Sequence, residues 1–164
     1  MLPFDWLLAL SLKPTPSSLR PPKPVHRAPV QADAHAEVHA YLRLATSRAT
    51  ADKLTAPLVA AARRHRLPPV LVARLVVRES GGNAKAVNGW CVGLMQVDRR
   101  LWFKASERPF SVGDNLEAGC RLLARLKRRY PTWEQALTAY NFGENHHVTR
   151  RLATSRYARA ILAR

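Results

Sequence analysis

Disulfides, acidic charge and long apolar runs are all in short supply in this chain of 164 residues. Cys91 and Cys120 are its two cysteines, too few for a disulfide scaffold but enough for one bridge in an oxidising compartment. The sequence leaves their pairing open. Asp and Glu number 11 against 27 Lys and Arg, a formal charge of +16. Such a surface attracts polyanions, whether nucleic acid, acidic cell-wall polymers or anionic lipid, without choosing among them. The apolar start, Met1 to Leu12, is interrupted by Asp5 and too short to span a membrane. No basic residue precedes it and no small-residue cleavage site is evident, so it reads as a docking or anchoring segment or a disordered end rather than an export signal. Metal chemistry lacks support as well. His35 and His39 stand at i and i+4 but without an HExxH pattern or a third ligand, which suits an exposed helix face, and His146-His147 reads as loop surface. No metal or cofactor is expected.

What is present suffices for one domain with a real core, plus a tail. Residues 13–30, KPTPSSLRPPKPVHRAPV, hold six prolines and favour extended chain. Residues 1–31 are therefore expected to be an apolar start and a Pro-rich basic tether, a flexible N-terminal arm, and 32–51 a helical arm whose docking is open. The domain proper is expected at 52–164, where the positive charge also concentrates. Leu54, Leu58, Val59 and Ala62 recur at helical spacing up to the break at Leu67-Pro68-Pro69. A second helix follows from Val70 to about Glu79, with Pro69 in its first turn, and Ser80-Gly81-Gly82-Asn83 ends it. Around Gly89 and Gly93 the short apolar runs predict a loop with a small β-hairpin. Asp114 is the expected cap of a strong helix to Tyr130 that turns Leu116, Cys120, Leu123 and Leu126 inward. Thr132 and Gln135 suggest a capping box for a helix from Trp133 to about Asn141, and a last helix covers roughly Ser155 to Ala163.

Glu79 is the residue with the most chemical promise. It closes a helix of mostly apolar residues, where burial and the partial negative charge of the helix C-terminus both disfavour a carboxylate. A carboxylic acid kept neutral in this way can protonate a poor leaving oxygen, as cleavage of a glycosidic bond requires. Most glutamates are solvated, and a lone Glu-Ser would mean little. Here four short motifs follow in one order: Glu79-Ser80-Gly81, Gly93-Leu94-Met95-Gln96, Ala139-Tyr140-Asn141 and Tyr157.

In that order and spacing the chain resembles the lytic transglycosylases of the soluble-lytic-transglycosylase (SLT) catalytic-domain and goose-type lysozyme-like family, from about Leu54 to Leu162. The resemblance implies a mainly α, lysozyme-like α+β fold: a helical bundle with a small β-hairpin next to the active-site cleft. It also implies roles for matching residues. Glu79 resembles the catalytic acid and Ser80 the neighbour that hydrogen-bonds near it. Met95 and Gln96 resemble the pair lining the sugar cleft, Tyr140 and Asn141 the residues beside the carboxyl, and Tyr157 a tyrosine that orients it. Gly82, Ala84, Phe142 and Glu144-Asn145 depart from the family's usual residues and bear on cleft shape.

The acids nearest Glu79 in sequence, Asp98 and Glu107, sit in no second-site motif, which favours a single-acid route over paired carboxylates. By resemblance, Glu79 protonates the leaving oxygen, the substrate's N-acetyl group stabilises the anomeric carbon, and Glu79 then takes the C6 hydroxyl proton to give a 1,6-anhydromuramyl end. The implied partner is the peptidoglycan glycan strand, with a lysozyme-type hydrolase as the alternative. The last 45 residues carry ten Lys and Arg against two acids, including Lys127-Arg128-Arg129 and Arg150-Arg151. This keeps a basic nucleic-acid-binding or structural virion protein as a rival, with weak electrostatic binding to envelope polymers as the other explanation. The arm suggests attachment to a virion or secretion assembly, and hence a location in the virion or in the periplasm and cell envelope.

Overall fold

A computed structural model describes residues 30–144 and 155–163, with side chains from Ala34 onward. The apolar start, most of the Pro-rich tether, His146-His147 and Arg150-Arg151 lie outside the described residues. Among the described residues are six helices and a three-stranded antiparallel sheet, the mainly α architecture expected.

Helix α1 (Val30–Ala45) docks on α2 (Arg48–Arg64) and α3 (Pro69–Ser80). Val38 and Leu42, one turn apart, are buried without exposure in the same core as Leu54, Leu58 and Leu75, so the core runs across residue 52. His39 Nε2 lies 2.8 Å from Asp52 Oδ1, tying α1 to α2. Ser47 caps α2 by accepting the Thr50 N–H. Pro69 opens α3, where a missing N–H costs nothing, and Leu71, Val72, Leu75 and Val76 fill the core. Gly81 stops the helix at φ 61°, a left-handed conformation that glycine adopts without strain, and its N–H bonds the Val77 carbonyl.

The hairpin expected around Gly89 is part of a larger unit. Strands β1 (Val87–Asn88), β2 (Cys91–Val92) and β3 (Val97–Asp98) pair in that order, with Asn88 opposite Cys91 and Cys91 opposite Asp98. Two-residue strands are too short for alternation to be read from sequence. Directly opposed residues share a face. Val92 and Val97 therefore turn into the core together, and Asn88, Cys91 and Asp98 form a row on the other side.

Helix α4 (Val112–Arg129) starts earlier than expected. Its cap is Ser111, whose Oγ accepts the Asp114 N–H; Asp114 sits in the first turn and its carboxylate accepts the Arg108 N–H at 3.0 Å. Both residue types cap well, so spacing alone did not separate them. Leu116, Cys120, Leu123 and Leu126 face inward as expected. Thr132 caps α5 (Trp133–Phe142) through the Gln135 N–H, but the reciprocal half of the capping box does not form, since Gln135 Oε1 is buried without a partner among the described residues. Helix α6 (Arg156–Leu162), capped by Ser155, packs on α3 and α5 and buries Tyr157 and Ile161. Cys91 and Cys120 are free thiols, so the pairing left open by the sequence is not made.

Gly119 brings α4 against the segment after β2. A Cβ added there would stand 2.3 Å from Met95 Sδ and 2.7 Å from Met95 Cβ, and the second of these cannot swing away. Gly119→Ala is expected to cost about 1–3 kcal/mol by overpacking, read as a lower denaturation midpoint at constant slope. An unchanged midpoint would contradict this packing.

Candidate active site

Glu79 lies in the last turn of α3, half-buried, where α3, the sheet and α5 meet. With Asn88, Cys91, Gln96, Tyr140 and Asn141 it lines a groove of about 180 Å³. Tyr157, delivered from α6, donates its hydroxyl hydrogen to Glu79 Oε1. Burial raises the Glu79 carboxyl above its ordinary value of 4.5, opposed by the Tyr157 hydrogen bond and the adjacent Arg78 guanidinium. The result is an acid that holds its proton longer than a solvated glutamate, with one oxygen fixed in direction.

The other residues divide into those that meet the groove and those that build it. Tyr140 lines the groove, but its hydroxyl donates to the Met95 carbonyl at 2.8 Å. Burial and the nearby Glu79 charge hold the phenol well above its usual range, so it stays neutral. Tyr157 is raised in the same way, by burial first and then by Glu79. Gln96 adopts φ 47°, a left-handed backbone unusual for a residue with a side chain, and its Nε2 donates to the Gly93 carbonyl at 3.0 Å and the Ala86 carbonyl at 3.2 Å. Both amide hydrogens are thus held by backbone, which leaves Oε1 as the acceptor it offers. Asn141 is exposed at the groove.

Ser80 does not reach across the groove. Its hydroxyl lies 2.8 Å from the Leu94 carbonyl and 3.1 Å from the Val76 carbonyl and accepts the Gly82 N–H, pinning the end of α3 to the Gly93–Gln96 segment. Met95 requires a correction. Its side chain is 0% exposed and packs on Gly119, so it is core and not cleft lining. What it contributes is backbone: its carbonyl holds Tyr140, and its N–H is held by Asn115.

Three residues were not singled out from the sequence. Asn88 and Cys91 enter the groove through the sheet register, which no single strand announced. Asn115 is buried and makes three backbone bonds, to the Val92 and Pro109 carbonyls and from the Met95 N–H. Its one signal is position: residues 115, 119, 122 and 126 form a buried stripe of α4 held by Asn, Gly, Leu and Leu. Asp98 completes the row of Asn88 and Cys91 but does not line the groove; both its oxygens accept from Arg100, at 3.1 and 2.8 Å, which holds it below the ordinary carboxylate range. Burial, then the charges of Asp98 and Glu79, push the Cys91 thiol up, so it too is neutral. Among the described residues no group of three or more His, Cys, Asp or Glu is placed to hold a metal ion.

Against known proteins, the family model described as Transglycosylase SLT domain matches residues 57–161, a span that contains every residue of the groove. Lysozyme g-like protein 2 of Mus musculus is 34% identical over 103 aligned positions, which cover 52% of this chain and 46% of that protein. The chain therefore spans about half the length of that relative.

Proposed function

This chain belongs to the transglycosylase SLT domain family, and from that premise we propose that it is a peptidoglycan lytic transglycosylase. It cuts the β-1,4 bond between N-acetylmuramic acid and N-acetylglucosamine. The observation that carries the reading is the half-buried Glu79, raised by burial and oriented by Tyr157 in a groove with three amide side chains.

Each step follows from a group on the groove wall. Protonated Glu79 gives its hydrogen to the leaving glycosidic oxygen, the role for which a raised carboxyl is suited. The substrate's own N-acetyl oxygen attacks the anomeric carbon as that bond breaks. Gln96 Oε1 accepts the N-acetyl N–H and so aims the acetamido group. The Glu79 carboxylate left behind is stabilised by the Tyr157 hydrogen bond, and it takes the C6 hydroxyl proton as that oxygen displaces the acetamido oxygen from the anomeric carbon, which restores the N-acetyl group and closes the 1,6-anhydro ring. One carboxyl gives and recovers one proton, and no water is consumed.

Asp98 favours this route, because its pairing with Arg100 leaves it ionised and engaged rather than poised as a base. The same residue motivates the alternative, since it shares a sheet face with Cys91 and Asn88: freed from Arg100, it could direct a water and make the enzyme a hydrolase. Mass spectrometry of purified sacculi after digestion separates the two. Anhydro-muropeptides support the lyase, and reducing ends in their place support the hydrolase. We further propose that the activity opens the wall locally for a phage particle or an envelope-spanning machine, with the N-terminal arm as the attachment. Deleting residues 1–29 should then leave digestion of isolated sacculi intact and abolish incorporation into the assembly.

Tyr157→Phe gives a pH test. Glu79 must begin protonated, so the alkaline limb of kcat/KM follows its carboxyl. The Tyr157 bond lowers that value. Its loss should move the limb to higher pH while kcat falls about tenfold, the size expected for one hydrogen bond to a charged group. A limb that stays in place or moves to lower pH would contradict the assignment.

A further inference from the structure

The sheet side of the groove carries a feature that the acid chemistry leaves unused. Trp90 sits in the β1–β2 turn between Asn88 and Cys91, both groove residues, and is 49% exposed. Two guanidiniums stand over its ring, Arg100 at 4.4 Å and Arg99 at 5.0 Å from the centroid, and the Arg99 N–H bonds the Trp90 carbonyl at 3.0 Å. The two arginines differ in what else they hold. Arg100 is bound to the Asp98 carboxylate through two nitrogens. Arg99 is exposed; its charge acts on Asp98 from a distance, but its guanidinium makes no hydrogen bond or ion pair with a carboxylate or carbonyl among the described residues.

An indole fixed by cations keeps one orientation at modest cost and offers flat apolar surface to the C–H face of a sugar. A planar guanidinium with free donors beside it suits a carboxylate, which it can grip with two parallel bonds. A peptidoglycan strand offers both groups side by side, because each peptide-bearing muramyl unit carries free carboxylates next to its sugar ring. We propose that Trp90 and Arg99 form an outer subsite that takes a sugar together with the stem-peptide carboxylate beside it, so that the chain prefers peptide-bearing strands to glycan that offers no carboxylate there. This rests on the glycan-cleaving reading of the groove.

The experiment measures equilibrium binding of the full chain carrying Glu79→Gln, which prevents turnover, to two soluble strands: peptide-bearing glycan, and the same glycan stripped of peptide by an amidase with the lactyl carboxylate that this exposes blocked as its methyl amide. The peptide-bearing strand should bind about tenfold tighter at a fixed, near-physiological salt concentration. Adding Arg99→Gln should bring the two affinities together, and Arg99→Lys should restore part of the difference. Trp90→Ala should weaken both strands. Arg128→Gln removes the same charge from the exposed far end of α4 and should leave the preference in place. Equal affinities in the parent chain, an undiminished preference in Arg99→Gln, or an equal loss in Arg128→Gln would overturn the subsite. Failure of the catalytic reading is a separate result: the wild-type chain would release no product from strands whose binding preference is intact.

Discussion

Glu79→Gln will lose about 10³- to 10⁴-fold in glycan cleavage, the range expected when the one group that both gives and accepts the proton is removed. The amide is nearly isosteric and can still accept the Tyr157 hydrogen bond, so the groove should survive. A second effect runs opposite in sign. Burial raises the folded-state carboxyl above 4.5, so between the unfolded value and the higher folded one the native state binds more protons than the unfolded state. Native stability must then fall as pH rises through that window, because above it folding carries a half-buried charge. Glutamine has no charge to bury. The variant should therefore be the more stable protein at neutral pH, with the difference shrinking toward pH 4. Loss of activity with a gain of stability separates a catalytic glutamate from a structural one. A variant that is inactive and also less stable at pH 7 would point to a structural role.

Asn115→Ala carries the second large effect. The side chain is buried, and its three bonds hold the Val92 and Pro109 carbonyls and the Met95 N–H, so truncation removes three hydrogen bonds to backbone at once. At about 1 kcal/mol for each bond lost, and more for a freed group that stays out of reach of water, the cost should be about 3–5 kcal/mol. Because the released groups flank the Gly93–Gln96 segment, Gln96 loses its fixed backbone as well, and KM should rise more than kcat falls. Urea denaturation checks the first expectation and steady-state kinetics at low temperature the second. Asn115→Asp is the informative companion, since it can keep the Met95 bond but cannot donate to either carbonyl. A loss below about 1 kcal/mol for Asn115→Ala would mean that the segment is held elsewhere.

How far the sequence reached depended on whether a feature is local. Helices were legible because the periodicity of Leu54, Leu58 and Ala62, or of Leu116, Leu123 and Leu126, repeats over several turns, and because glycine at 81 has a local reason to end one. Glu79 took two steps: its place at the end of an apolar helix suggested a desolvated acid, and the ordered motifs that follow it set it apart from an ordinary solvated glutamate. The cap of α4 was misread because Ser111 and Asp114 are equally suited to it by residue type, and only the chain's path into the helix decides. Met95 was assigned to the cleft with Gln96 by the resemblance of their shared motif, yet Gly119 opens a hole in the core that its side chain fills. The grouping of Asn88, Cys91 and Asp98 could not be read at all, since they come together through the pairing of strands two residues long. The docking of α1 by Val38 and Leu42 was likewise hidden, because a short stripe in an alanine-rich helix does not say what it covers.

The physical claim beneath the proposed reaction is that Glu79 keeps its proton in the groove when an exposed glutamate would already have released it. Following the Glu79 carboxyl carbon by NMR as pH is raised, in the full chain, tests this without substrate. The account predicts a midpoint above 4.5, raised further in Tyr157→Phe and coincident with the alkaline limb of kcat/KM. A midpoint at or below 4.5, unmoved by Tyr157→Phe, would contradict it.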